Sequence, residues 1–166
     1  MLRARMAISI RPALPGDEKH IFRMIAELAR FESLEHEVTG TAETLGRHLF
    51  GERPVAEALI AERAEVVVGY ALFYTTYSTF LTRPGLFLED LYVTEAERGT
   101  GVGKALLRGV ARVARSRDAG RLEWSVLDWN KRAIDFYVAS GATLLTDWRT
   151  CRITGQKLEQ LGAGHT

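Results

Sequence analysis

Two periodicities of apolar residues alternate along the chain. Apolar positions three and four apart predict helices, and alternating or β-branched and aromatic runs predict strands. The predicted strands are 7–11, 55–63, 66–77, 86–93, 122–127, 143–146 and 148–154. The predicted helices are one of about five turns around 21–31, then 42–50, about 101–117, and one that opens at Asn130 and stops at Gly141.

These elements follow in the order β-α-α-β-β-β-α-β-α-β-β. Such an order predicts an α/β fold of α+β character, in which helices cover the faces of a mixed, mostly antiparallel sheet. About seven strands and four helices are expected. A chain of 166 residues is long enough to bury one core, so we expect residues 1–166 to form a single domain.

The most specific pattern lies in residues 86–107. An apolar run contains Glu89 and Asp90, and strand alternation points these two carboxylates to opposite faces unless a bulge intervenes. A polar turn then leads to Arg98-Gly-Thr-Gly-Val-Gly103 and an amphipathic helix. Glycines let the backbone approach a ligand closely, and the start of a helix presents unpaired N–H groups at its positive end. The pattern predicts a binding site for phosphate groups.

Two common phosphate loops do not fit this stretch. A Walker loop needs Ser or Thr after its Gly-Lys, but Ala105 follows Lys104, and Arg98 stands where the first glycine belongs. A dinucleotide fingerprint needs its third glycine one residue later, close to the first strand of the fold. The residues present therefore exclude both a Walker loop and a dinucleotide-binding loop.

Composition narrows the class of protein. A formal net charge of +1 and a pI of about 7.9 give no general attraction to nucleic acid or membrane. The lone Cys151 excludes an internal disulfide framework, and no apolar run reaches the ~20 residues of a membrane span. Arg3 and Arg5 precede an apolar segment too short for a signal core. We expect a cytoplasmic protein that binds no metal.

Four sequence blocks together resemble the GNAT superfamily of N-acetyltransferases, in particular its spermidine/spermine branch. They read Leu88-Glu-Asp-Leu-Tyr-Val93, Arg98-Gly-Thr-Gly-Val-Gly103, Val126-Leu-Asp-Trp-Asn130 and Ala133-Ile-Asp-Phe-Tyr137, the last followed by Gly141-Ala142. An early block, Glu27-Leu-Ala-Arg-Phe-Glu32, is also similar. The resemblance implies the GNAT fold, acetyl-CoA as co-substrate, a small primary amine as acceptor, and a homodimer.

The resemblance also implies roles for individual residues. Tyr137 matches the proton donor to the leaving thiolate, and Glu89 matches the acid that contacts the amine and relays its proton, directly or through water. The positions matching cofactor contacts are Leu91, Tyr92, Val93, Arg98, Gly99, Thr100, Gly101, Val102, Gly103, Lys104, Asn130, Lys131, Arg132 and Ala133. The positions matching substrate contacts are Phe31, Glu32, Glu89, Glu123, Trp124 and Ser125.

Several of these residues have simpler interpretations from spacing alone. Tyr137 fits a tyrosine that packs in a core, Asn130 fits a helix cap, and Glu89 fits an acid on a half-exposed strand face. The basic residues Lys104, Arg108, Arg112 and Arg115 fit a solvated helix face. Glu35 and Glu37 fit either a solvated helix end or a negative mouth that attracts an amine.

The acceptor is expected to be a small amine with an amino-acid-like part, ahead of spermidine. Polyamine acetylases of this branch have an acid and a tryptophan in the loop before the central strand, whereas residues 78–85 contain neither and include Arg83. Tyr77-Ser-Thr and Leu127-Asp-Trp-Asn130 look closer to the thialysine acetyltransferases of the branch. The alternative is a GNAT-like acyl-CoA-binding sensor or scaffold, but such a protein would need neither Glu89 nor Tyr137.

Overall fold

The computed structural model describes residues 7–164. The chain divides into two compact units, Met1–Ser125 and Val126–Thr166. Formation of a single domain over 1–166 therefore stays a prediction. Arg3 and Arg5 lie outside the described residues.

The first unit is built on a mixed five-stranded sheet in the order β1-β2-β3-β4-β5. The strands are β1 Ile8–Pro12, β2 Glu57–Arg63, β3 Val66–Ser78, β4 Arg83–Val93 and β5 Leu122–Trp124. Neighbours among the first four are antiparallel, and β5 joins β4 in parallel. A tight turn joins β2 and β3 at Ala64 and Glu65, which have φ of 52° and 61°. Positive φ at both central residues is typical of a two-residue hairpin turn.

Three helices cover the two faces of this sheet: α1 Glu18–Phe31, α2 Ala42–Phe50 and α3 Val102–Ser116. Residues of α1 and α2 share one buried cluster with one face of the sheet: Ile21, Met24, Leu49, Ala58, Ile60, Tyr70, Leu72 and Tyr92. Helix α3 packs on the opposite face, where a Cβ at Gly109 would lie 2.8 Å from a methyl carbon of Leu59. Glycine at that position lets α3 approach the sheet closely.

The second unit contains α4 Lys131–Ala139 and α5 Gly155–Gly162. The predicted strands 143–146 and 148–154 are wrong, because residues 142–154 form neither helix nor strand. Their large apolar side chains are exposed, such as Trp148 at 78%, and a strand forms only with a partner. The α/β fold with a mixed sheet is confirmed, but residues 7–164 contain five strands and five helices rather than seven and four.

None of the helices in the described part of the chain is long and apolar enough to cross a membrane.

Candidate active site

A β-bulge in β4 changes the direction of Glu89. Asp90 pairs with Leu72 and Leu88 pairs with Phe73, so Glu89 is the extra residue on its strand. Leu72 belongs to the cluster beneath α1 and α2, which places Asp90 on that face. The charge of Glu89 raises the pKa of Tyr74, which follows Leu72 on the same face, although burial is the larger cause. The bulge thus lets both acids point to one face, which simple alternation would not allow.

Asp90 is held by a fully buried tyrosine. The hydroxyl of Tyr70 donates a hydrogen bond of 2.9 Å to the Asp90 carboxylate. Burial raises the pKa of Asp90 to about 6; the Tyr70 hydrogen bond opposes the shift, and the charges of Glu89 and Glu32 add to it. Asp90 thus holds a proton more tightly than an exposed aspartate does.

Stability should depend on pH through Asp90. Because folding raises its pKa from 3.8 to about 6, the folded chain binds the proton more tightly than the unfolded chain. The resulting stabilisation is complete below about pH 4 and is lost as pH rises through about 6. Relative to Asp90→Asn, which does not titrate, the wild-type free energy of unfolding should fall by up to about 3 kcal/mol across this window. Urea unfolding from about pH 4 to pH 7 measures the difference, and a constant difference would contradict the assignment.

A cavity of about 480 Å³ opens beside Asp90, between α1 and α2. Its walls are mostly apolar, and its ionisable lining residues are Glu32, Glu37, His48 and Asp90. Burial raises the pKa of Glu32. Glu32, a predicted substrate contact, and Asp90 thus place two carboxyl groups on the lining of one cavity.

Other acids near the end of α1 divide between the two sequence interpretations. Glu37 lines the cavity, in keeping with a negative mouth. Glu35 is exposed and pairs with Arg30 at 3.4 Å, in keeping with a solvated helix end. Phe31 is 47% exposed, and the Arg98 guanidinium lies 5.1 Å from the centre of its ring, a cation–π distance.

The second half of β4 has an open edge. Strand β5 pairs only with residues 86–88 and ends at Trp124, while β4 continues to Val93. Within residues 7–164, no strand therefore pairs with residues 89–93 on that side. An unpaired edge presents backbone N–H and C=O groups to another extended chain. Leu91, Tyr92 and Val93, which are predicted cofactor contacts, lie on this stretch.

The glycine-rich loop follows directly from this open edge. Gly99 and Gly101 have φ of 80° and 95°, and Gly101 is the N-cap of α3. The first-turn residues Val102, Gly103 and Lys104 have N–H groups without an acceptor inside the helix. Amide donors at the positive end of a helix suit a phosphate anion, so the loop fits the pyrophosphate of coenzyme A.

The remaining predicted residues of the first unit lie on its surface. Glu123 pairs with Arg121 at 2.8 Å, Trp124 ends β5, and Ser125 is exposed. The basic residues Lys104, Arg108, Arg112 and Arg115 are exposed on α3, as the simpler interpretation expects. Arg98 donates from Nε to the carbonyl oxygen of Val93 at 3.2 Å, which ties the loop to the end of β4.

In the second unit, Asn130 caps α4. Its side-chain oxygen accepts a 3.2 Å hydrogen bond from the N–H of Ala133, as expected for an N-cap. Lys131 pairs with Asp135 at 3.3 Å, and Arg132 is exposed. Tyr137 is half-buried on α4, with its ring centre 5.2 Å from that of Phe136. Its role as proton donor stays a prediction.

Some partners of the site residues were not found from the sequence. Tyr70 supports Asp90, and the Tyr92 hydroxyl donates to Glu27 at 3.0 Å. A buried tyrosine hydroxyl usually finds a hydrogen-bond partner, so a tyrosine in an apolar strand predicts that such a partner exists. It does not identify the partner residue.

The open strand edge, the glycine-rich helix start and the acids at the bulge are the arrangement that the sequence resemblance leads us to expect of an acyltransferase. A model described as the Acetyltransferase (GNAT) family matches residues 22–142. The chain belongs to this family and is an N-acetyltransferase.

Individual relatives confirm the branch that the sequence suggested. The chain is 40% identical over 165 residues to thialysine N-epsilon-acetyltransferase of Bos taurus, covering 93% of this chain and 96% of the relative. It is 31% identical to L-ornithine N5-acetyltransferase of Arabidopsis thaliana, covering 95% and 89%. An integron cassette protein from V. cholerae shares the fold, with a TM-score of 0.78, 23% identity and coverage of 95% and 98%.

Proposed function

We propose that this chain transfers the acetyl group of acetyl-CoA to a primary amine of a small molecule, by direct attack of the amine. The observation that carries the proposal is the open edge of β4 over residues 89–93. Acids lie at one end of this edge and the glycine-rich loop follows the other end. A ligand with an extended amide arm and a pyrophosphate suits that arrangement.

The chain would hold acetyl-CoA mainly through backbone groups. Residues 91–93 would pair with the amide groups of the pantetheine arm, as a neighbouring strand would. Residues 98–104 would bind the pyrophosphate through their N–H groups. Asn130, Lys131, Arg132 and Ala133 are a further proposed contact, based on the family resemblance. The co-substrate supplies an acetyl group activated as a thioester.

The acids of the first unit would prepare the amine. A primary amine such as that of lysine has a pKa near 10.4, so it arrives as an ammonium ion that cannot attack. Glu32 and Asp90 would attract the cation. Glu89, exposed at the bulge, would take its proton, either directly or through water. Tyr137 would donate a proton to the departing thiolate.

The proposed acceptor is an amino acid with a side-chain amine. The two relatives are named for thialysine and ornithine, and both compounds are of that kind. A positive charge at Arg83 would disfavour a long polycation, but Arg83 pairs with Asp118. The preference therefore rests on the relatives and on the two sequence motifs, not on repulsion by Arg83. A homodimer and a cytoplasmic location belong to the same proposal and rest on the family resemblance and the composition.

Turnover on a panel of amines tests the acceptor class. We expect kcat/KM on thialysine, lysine or ornithine to exceed that on putrescine and spermidine by at least about tenfold, since the site would recognise the amino-acid part. The measurement is the rate of free-thiol release at a fixed, saturating concentration of acetyl-CoA. A clear preference for spermidine would contradict the proposed class and leave acetyl transfer itself in place.

A further inference from the structure

A buried arginine lies directly beneath the glycine-rich loop. Arg63, the last residue of β2, is 4% exposed. Its Nε donates to the Glu97 carboxylate at 3.0 Å, and its Nη2 donates to the Thr100 hydroxyl at 3.1 Å. The planar guanidinium thus contacts Thr100 of the loop and Glu97, the residue just before the loop, at once, which a lysine ammonium would not do in the same geometry.

The side chain of Thr100 connects the middle of this loop to Arg63 and Glu97 by hydrogen bonds. It lies between Gly99 and Gly101, two residues with positive φ, where the backbone has the most freedom to lose on binding a ligand. Its hydroxyl also donates to the Glu97 carbonyl oxygen at 2.8 Å. A hydroxyl has one proton, so in this arrangement Thr100 has none left for a phosphate group. Its side chain serves to hold the loop in place.

Stability alone is a poor explanation for this arrangement. A buried ion pair of the kind that Arg63 forms with Glu97 can often be replaced by apolar residues of similar volume without loss. Apolar residues would not hold the Thr100 hydroxyl. What the guanidinium adds is a fixed loop position.

We propose that Arg63 is a positioning residue for phosphate binding, which acts through Thr100 to hold the loop N–H groups in their binding arrangement. The inference rests on the proposed function, because it takes residues 98–104 as the pyrophosphate site. Preorganised donors lose less entropy on binding, so affinity for the phosphate part of the ligand depends on this contact.

Calorimetric binding of coenzyme A and of pantetheine, which lacks phosphate, tests the inference. The first variant is Thr100→Val, which keeps a β-branched shape at an exposed position. The second is Arg63→Lys, which keeps the positive charge but loses the planar guanidinium and its fixed set of N–H donors. Each should raise the Kd for coenzyme A by about tenfold, the effect of losing one hydrogen bond to a charged group. The Kd for pantetheine should not change. Thr75→Val is the control, since Thr75 is exposed on β3 opposite Leu86, near the far end of β4 from the loop.

The double variant separates positioning from independent contributions. If Arg63 acts through Thr100, the two losses should not add. The Kd of the double variant for coenzyme A should then be no higher than the larger of the two single-variant Kd values. Additive losses, equal losses for pantetheine, or a lower melting temperature with unchanged Kd for coenzyme A would each overturn the inference. Wild-type chain that binds no coenzyme A would overturn the proposed function itself. Wild-type binding with unaffected variants would overturn only the role of Arg63.

Discussion

Replacing Tyr137 by phenylalanine is expected to lower kcat by about 10²–10⁴, the usual contribution of a general acid. The substitution keeps the ring, and with it the packing against Phe136, and removes only the hydroxyl. Affinity for acetyl-CoA should stay the same, because the proposed role of the hydroxyl is to protonate the leaving thiolate. Steady-state kinetics together with calorimetric binding measure the two effects separately.

Ser116→Ala is the control for this experiment, because it also removes a single hydroxyl group. Ser116 is exposed at the end of α3, so this loss should leave kcat unchanged. An unchanged kcat for Tyr137→Phe would favour the simpler interpretation of its spacing, in which Tyr137 is a tyrosine that packs in a core. The proton for the thiolate would then have to come from another group.

Glu89→Gln is expected to lower kcat/KM by about 10²-fold or more near neutral pH. The amide cannot take the ammonium proton, so the variant depends on the small fraction of amine that is already neutral. That fraction grows as pH approaches the amine pKa of about 10.4. The difference between wild type and variant should therefore shrink steadily as pH rises. A pH series of kcat/KM measures it.

Glu43→Gln controls for the loss of one negative charge, because Glu43 is exposed on α2. Its kcat/KM should match that of wild type at every pH. A Glu89→Gln defect of constant size across the pH series would assign Glu89 to binding of the ammonium group instead of to proton transfer.

The glycine-rich loop could be predicted because its signal is local. Glycine, with no Cβ, allows the positive φ found at Gly99 and Gly101, and the amphipathic pattern that follows marks the helix start. Both features belong to adjacent residues, so no knowledge of the rest of the fold was needed. The cap at Asn130 was predictable for the same reason.

Whether Glu89 and Asp90 can point to one face depends on pairing between strands. The bulge arises where the pairing between β3 and β4 shifts by one residue. The sequence of either strand alone does not determine that pairing. Likewise, the hydrogen bond between Tyr70 and Asp90 joins residues 20 positions apart. Sequence patterns located the acids, but the fold decides what surrounds them.

The error in the C-terminal region has a similar cause. Residues 143–154 have the composition of strands, yet a strand needs a neighbour to accept its backbone hydrogen bonds. In the structure this stretch has no such pairing, and Leu145 and Trp148 are largely exposed. The strand propensity of these residues predicts an extended segment, but it does not show whether a neighbouring strand is there to pair with it.

Release of free thiol from acetyl-CoA, with and without lysine-like amines, tests directly whether the chain acetylates a small amine. Mass spectrometry of the amine in the same reaction identifies the product. The expected result is amine-dependent thiol release with one acetyl group gained per thiol released. Tight binding of acetyl-CoA without turnover on any small amine would contradict it, and would favour a sensor or scaffold that binds acyl-CoA.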